Sequence, residues 1–208
     1  RLFAVVFKKQ NLQNIIIIES HNDFDSNGGA FYNYLIKNKY NDKYKIVWLI
    51  RNKKPDVLPL NVECYGIYKP SLKKNYYLSN AKYILTCQDA LGIIREGQRA
   101  YYLTHGAMAL KNTKGNISVS NSITYILAPS EYLKPIQANL LSIPYPNDKQ
   151  IILGYPCHDV LYNLKSGDLG KVTEHTFKKV VLWMPTFRKS KIDNRNDSSI
   201  EYTMGIPI

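Results

Sequence analysis

Short, densely apolar runs recur along the chain at intervals too regular for a disordered or purely helical protein. They are "NIIIIES" (14–20), "YKIVWLIR" (44–51), "VECYGIY" (62–68), "KYILTC" (82–87), "AYYLTHG" (100–106), "TYILAPS" (124–130), "QIILGYP" (150–156) and "KVVLWMPT" (179–186). Rich in β-branched and aromatic residues and without clean polar alternation, they read as strands covered on both faces. Between several of them lie helical patterns, "GGAFYNYLIKNKY" (28–40), "SLKKNYYLSNA" (71–81) and "EYLKPIQANLL" (131–141). Phe31, Leu35 and Ile36 in the first, and Leu72, Tyr76 and Ala81 in the second, set apolar groups along one side. Strand alternating with helix predicts an α/β fold with a mostly parallel, doubly wound sheet.

Punctuation residues sharpen this picture. Ser71, after Pro70, is placed to cap the helix that it opens, and Ser130 with Glu131 to do the same after "TYILAP". The helix starts then share a rim with the strand ends, and that rim gathers backbone N–H donors suited to phosphate. The polar stretch 107–123 predicts a long rim loop, and "NLKSGDLGK" (163–171) a linker with a short helix before the last strand.

The candidate chemistry sits where strands end. In "YYLTHGAMALKN" a strand stops at His105 and Gly106, with Lys111 five residues after the glycine. A neutral imidazole can take a proton from a hydroxyl near neutral pH, a glycine lets backbone approach a ligand, and a lysine can hold a phosphate as a point charge. A lone histidine also fits a structural or merely exposed role. "GYPCHDVL" (154–161) ends a strand at Gly154 and Pro156 and opens a short helix at His158 or Asp159. Asp159 reads first as a helix cap and second as a functional group; with Ser130 it completes the rim residues placed for substrate or phosphate. "WMPTFRKSK" (183–191) presents Arg188 just past a strand, where a guanidinium can fork onto a pyrophosphate, although a solvated charge cluster has the same look.

Composition narrows the classes. The 208 residues are 45% hydrophobic and 21% charged, a globular balance, and 28 Lys+Arg against 16 Asp+Glu leave a net charge of +12. That excess favours polyanions, phosphorylated substrates or an anionic membrane surface, unless it serves solubility alone. Cys64, Cys87 and Cys157 are too far apart for a zinc site and odd in number for a disulfide framework, which points to a reducing compartment. No apolar run nears the roughly 18 residues of a membrane span, and no G-x-G-x-x-G, P-loop, G-x-S-x-G or H-E-x-x-H signature occurs. The 17 tyrosines fall within strand and helix patterns, so packing explains them better than stacking on nucleic acid. Starting at Arg1 and stopping in "EYTMGIPI", the chain reads as part of a longer protein.

Taken in order, "ES…DSNGGAFYNYL", "YKPSLKKNYYLSNAKYIL", "YLTHGAMALK", "ILAPSEYLK", "ILGYPCHDVLYN" and "VVLWMPTFR" resemble the CDP-glycerol glycerophosphotransferase family of teichoic acid synthases, from about Ile15 to Arg188. The resemblance implies the N-terminal half of a glycosyltransferase-B fold: a Rossmann-like acceptor-side domain over 1–176, then the start of a donor-nucleotide domain over 177–208. It matches His105 to the histidine of the family's W-H-G motif, its proposed general base, and Arg188 to the basic residue of its P-T-W-R motif. Thr104 and Phe187 replace the family's tryptophans, and Cys157 stands where G-Y-P-R has arginine. The function implied is transfer of a polyol phosphate from a CDP-linked donor to a lipid-linked or polymeric acceptor. It needs no cofactor or nucleic acid, and the enzyme would sit in the cytoplasm, peripheral to the inner face of the membrane. The rivals are a glycosyltransferase of the same fold using a nucleotide sugar for surface polysaccharide, and a non-catalytic polyanion-binding domain.

Overall fold

The computed structural model describes residues 7, 10–52, 54–104, 119–163, 165, 167, 170, 173–175 and 177–181. In chain order the elements are β1 (Gln13–Glu19), α1 (Ser26–Lys37), β2 (Lys45–Ile50), β3 (Val62–Gly66), α2 (Leu72–Asn80), β4 (Ala81–Thr86), β5 (Arg99–Tyr102), β6 (Tyr125–Leu127), α3 (Lys134–Leu140), β7 (Gln150–Ile151) and a single-turn α4 (Asp159–Tyr162). All strand pairs are parallel, in the order β3-β2-β1-β4-β5-β6-β7. This is the doubly wound sheet predicted from the alternation.

The isoleucine run of β1 shows why the pattern lacks polar alternation. Ile15 and Ile17 enter one core with Val47, Leu49, Ile84, Ala100 and Tyr102; Ile16 and Ile18 enter the other with Ile46, Trp48, Leu85 and Leu103. Both faces are buried over this run, so all four positions from Ile15 to Ile18 are apolar, and only the strand's ends, Gln13, Asn14 and Glu19, are polar. Tyr32 and Leu35 of α1 close the second core, and Tyr77 of α2 closes the first. The Ser71 hydroxyl accepts from the Lys74 N–H at 3.2 Å and caps α2 as expected.

Other boundaries moved. Ser130 accepts from the Leu133 N–H at 3.3 Å and closes a turn that precedes α3 rather than capping the helix itself, while Glu131 pairs with Lys134 at 2.9 Å. His158 precedes α4 without any side-chain cap bond, and Asp159 is its first residue, so neither supplies the expected cap. Val119 and Ile123, at the end of the stretch read as a polar loop, are buried in the first core. Of the predicted last strand, only residues 179–181 are described; they join no strand, and Val180 and Val181 are exposed. The predicted linker 163–171 is described only in part.

Candidate active site

In a doubly wound sheet, ligands bind outside the carboxyl ends of the strands where the order reverses, which here is between β1 and β4. The residues leaving those strands form a polar knot. Glu19, fully buried at the end of β1, accepts with Oε2 from the N–H groups of Cys87, Gln88 and Asp89 at 3.1, 3.1 and 3.2 Å. Its Oε1 lies 2.6 Å from Nη2 of Arg51, which also meets Asp89 at 2.8 Å, while Nη1 donates to the Ser20 carbonyl at 2.5 Å. Burial works against the Arg51 charge, yet Glu19 and Asp89 outweigh it and hold the guanidinium above its ordinary value. Asp23 adds a clasp on β2 by accepting from the N–H groups of Arg51 and Asn52 at 2.9 and 2.8 Å. One ionic network thus ties the exits of β1, β2 and β4.

The loop from β1 into α1 is bent hard. Asp23, Phe24 and Ser26 all have positive φ, costly for residues with a Cβ and frequent at functional sites. The turn lets the start of α1 press onto the sheet. A Cβ on Gly29 would stand 2.1 Å from the Phe24 carbonyl oxygen, so only glycine fits there. The Gly28 N–H points at Sγ of Cys87 at 3.1 Å, and burial pushes that thiol up to about 12, leaving it protonated and inert.

Beside it, Asn27 is almost wholly enclosed. Its Nδ2 donates to the carbonyls of Leu103 and Thr104 at 3.0 and 3.1 Å, and its Oδ1 accepts from the Cys157 N–H at 3.1 Å. Thr104 is buried with φ +56, and its hydroxyl faces that of Tyr155, another enclosed side chain. One amide therefore joins the exit of β5 to the turn after β7.

Next to this junction a cavity of about 510 Å³ opens over the sheet, lined by Tyr34, Tyr83, Tyr101, Leu127 and Tyr155 with Asp159 among its walls. Asp159 is exposed and Ser130 is engaged in its own turn. His105, Gly106, Lys111 and Arg188 lie outside the described residues; for His105, the preceding residue Thr104 marks where β5 delivers the chain. Among the described residues, no group of three or more His, Cys, Asp or Glu is gathered to hold a metal ion.

The model of the family described as CDP-glycerol:poly(glycerophosphate) glycerophosphotransferase matches residues 1–204. The chain belongs to this glycerophosphotransferase family. A curated relative, the teichoic acid poly(glycerol phosphate) polymerase of Bacillus spizizenii (strain ATCC 23059 / NRRL B-14472 / W23), is 25% identical over 218 residues, covering 90% of this chain and 54% of the polymerase. The solved wall teichoic acid polymerase TagF superposes with a TM-score of 0.62 at 19% identity, over 82% of this chain and 45% of that one. A histidine-to-asparagine variant of TagF soaked with CDPG for 15 minutes gives 0.62 at 18% identity, over 82% and 48%. The chain spans about half the length of these relatives.

Cys157, in the turn after β7, takes part in the junction through its main chain. The position contributes its backbone N–H to Asn27, and its thiol is half-buried and pushed up by burial. Sequence reasoning missed Asn27, Glu19 and Arg51. Their partners lie up to 130 residues away, and the only local hint was "SNGG", two glycines directly after an asparagine.

Proposed function

We propose that the protein transfers glycerol phosphate, or a related polyol phosphate, from a CDP-linked donor to a hydroxyl of a polymeric or lipid-linked acceptor in teichoic acid or a similar surface polymer. Membership of the glycerophosphotransferase family over residues 1–204 carries this reading. The sheet supports it, with a strand exit leading to His105 at the ligand-binding edge.

The chemistry follows from the residue types. His105 takes the proton of the acceptor hydroxyl as its oxygen attacks the phosphorus that carries the polyol. The new P–O bond forms, the bond to the CMP oxygen breaks, and CMP leaves. Lys111 and Arg188 offset charge on the two phosphates, and Gly106 gives backbone access beside them. Ser130 and Asp159 flank the substrate from the exits of β6 and β7. Residues 1–176 supply the acceptor side, and the stretch from 177 begins the half that holds the cytidine nucleotide. The net charge of +12 suits an anionic inner leaflet. Among the described residues no helix is long and apolar enough to cross a membrane.

The test is His105→Ala in the full-length protein, assayed by CMP release from CDP-glycerol. Turnover is expected to fall by about 10²- to 10⁴-fold with the fold retained. Unchanged turnover removes the general base from this account.

A further inference from the structure

We propose that Asn27 is a positioning residue for the transfer reaction: its buried amide sets the backbone that delivers His105 and fixes it against the turn ending at Cys157. The inference rests on the reading of His105 as general base and adds a residue that neither the resemblance nor the motif pattern assigns.

Three observations carry it. First, every hydrogen-bonding arm of Asn27 that the geometry uses goes to main chain at a strand exit: Leu103 and Thr104 carbonyls on one side, the Cys157 N–H on the other. A residue present only to start α1 would bond its own helix. The N-terminal residue preceding the helix, Asp25, makes no side-chain cap bond, and Asn27 does not replace it. Second, the bonded carbonyls are the two directly before His105. Thr104 has a positive φ, which costs on the order of 1 kcal/mol or more for a residue with a Cβ, and the two carbonyl contacts hold that bend in place. Third, Asn27 cannot easily move. Gly28 is pinned by the Cys87 sulfur, and a Cβ there would meet the Glu19 carbonyl oxygen at 3.1 Å; Gly29 sits against the Phe24 backbone. The helix start is therefore a fixed base, the amide a fixed arm, and the β5 exit the part held.

The chemical logic is that a proton acceptor must lie within hydrogen-bond reach of the acceptor hydroxyl. A misplacement of about 1 Å can cost on the order of 10²-fold in rate. Aspartate at this position keeps the shape and still accepts from Cys157, but turns the two donors into an oxygen facing two carbonyl oxygens. Alanine removes all three bonds. Both variants leave the ionic network of Glu19, Arg51 and Asp89 intact, because none of its bonds involves Asn27.

A double-mutant cycle in the full-length enzyme tests this. Asn27→Ala and Asn27→Asp are each expected to lower kcat by about 10²-fold while the KM for CDP-glycerol changes less than about threefold. In the wild type, kcat should rise with pH through the histidine range, since the base must be neutral. In the Asn27 variants that inflection should fade toward a simple dependence on hydroxide, as it should in His105→Ala. Combining Asn27→Ala with His105→Ala should cost no more than about threefold beyond His105→Ala alone, because a residue acting through another has nothing left to position. Multiplicative losses in the cycle overturn the inference while leaving His105 as base. So does an unchanged pH profile, an Asn27→Asp enzyme equal to wild type, or loss of the folded state by circular dichroism in both Asn27 variants. A His105→Ala enzyme with full activity overturns the base assignment itself, and the positioning role with it.

Discussion

Replacing Glu19 probes whether the knot at the reversal point holds the edge together. In Glu19→Ala the N–H groups of Gln88 and Asp89 lose the acceptor that serves them at 3.1 and 3.2 Å, whereas that of Cys87 keeps the main-chain oxygen of Glu19 at 3.2 Å. Two part-buried donors left unsatisfied cost about 1–1.5 kcal/mol each. Breaking a buried ion pair from one side costs about 3–5 kcal/mol when the partner is stranded. Arg51 is not stranded, since Asp89 at 2.8 Å and the Ser20 carbonyl remain, so only about 1–2 kcal/mol of that applies. The sum is about 4 kcal/mol, a large part of the 5–15 kcal/mol typical of a whole domain. Glu19→Gln keeps one oxygen for the backbone donors but turns an NH₂ toward the guanidinium, and should cost about 2 kcal/mol. Urea unfolding followed by circular dichroism gives both values from the shift in midpoint at constant slope. If both variants stay within about 1 kcal/mol of wild type, the network does not hold the β1, β2 and β4 exits, and the assignment of this edge as a preformed site loses its support.

Gly29→Ala should destabilise by more than about 3 kcal/mol, because its Cβ would stand 2.1 Å from the Phe24 carbonyl oxygen; Gly28→Ala, whose nearest contact is 3.1 Å, should cost less, and thermal melts of the pair check the order. Glu63 accepts from Lys45 at 2.7 Å, Lys73 at 3.3 Å, and the hydroxyls of Tyr65 and Tyr77 at 2.5 and 3.1 Å. Burial pushes its carboxyl up, but these partners outweigh burial and hold it at about 2, below the ordinary 4.5. Stability from this group is therefore complete above the ordinary value and is lost as pH falls toward 2, so wild type should lose urea resistance over that range more steeply than Glu63→Gln. Arg188→Ala should raise the KM for CDP-glycerol more than that for the acceptor, with Arg188→Lys restoring it in part; equal effects on both substrates would argue against a pyrophosphate contact.

The sheet was legible because burial on two faces leaves a signal that needs no partner information. "NIIIIES" and "YKIVWLIR" became β1 and β2 within a residue or two at either end. Strand length was less legible at the far edge. "TYILAPS" and "QIILGYP" shrink to Tyr125–Leu127 and Gln150–Ile151, since Pro129 and the positive φ of Gly154 end the extended ladder early. At the candidate site, the position of the β5 exit could be read from the apolar run that stops before His105. The groups that shape this exit could not. Asn27, Glu19 and Arg51 are polar residues whose roles exist only once strands distant in sequence lie side by side, and no local periodicity encodes that.

Transfer itself is the most direct test of glycerophosphotransferase function. The full-length protein is given CDP-glycerol labelled in the glycerol, with CDP-ribitol and common nucleotide sugars in parallel, and a glycerophosphate-primed acceptor. Label entering the acceptor and CMP released should be equal in amount from CDP-glycerol or its polyol analogue, with no transfer from the sugars. Sugar transfer from a nucleotide sugar, or salt-sensitive acceptor binding without any CMP release, would contradict the assignment.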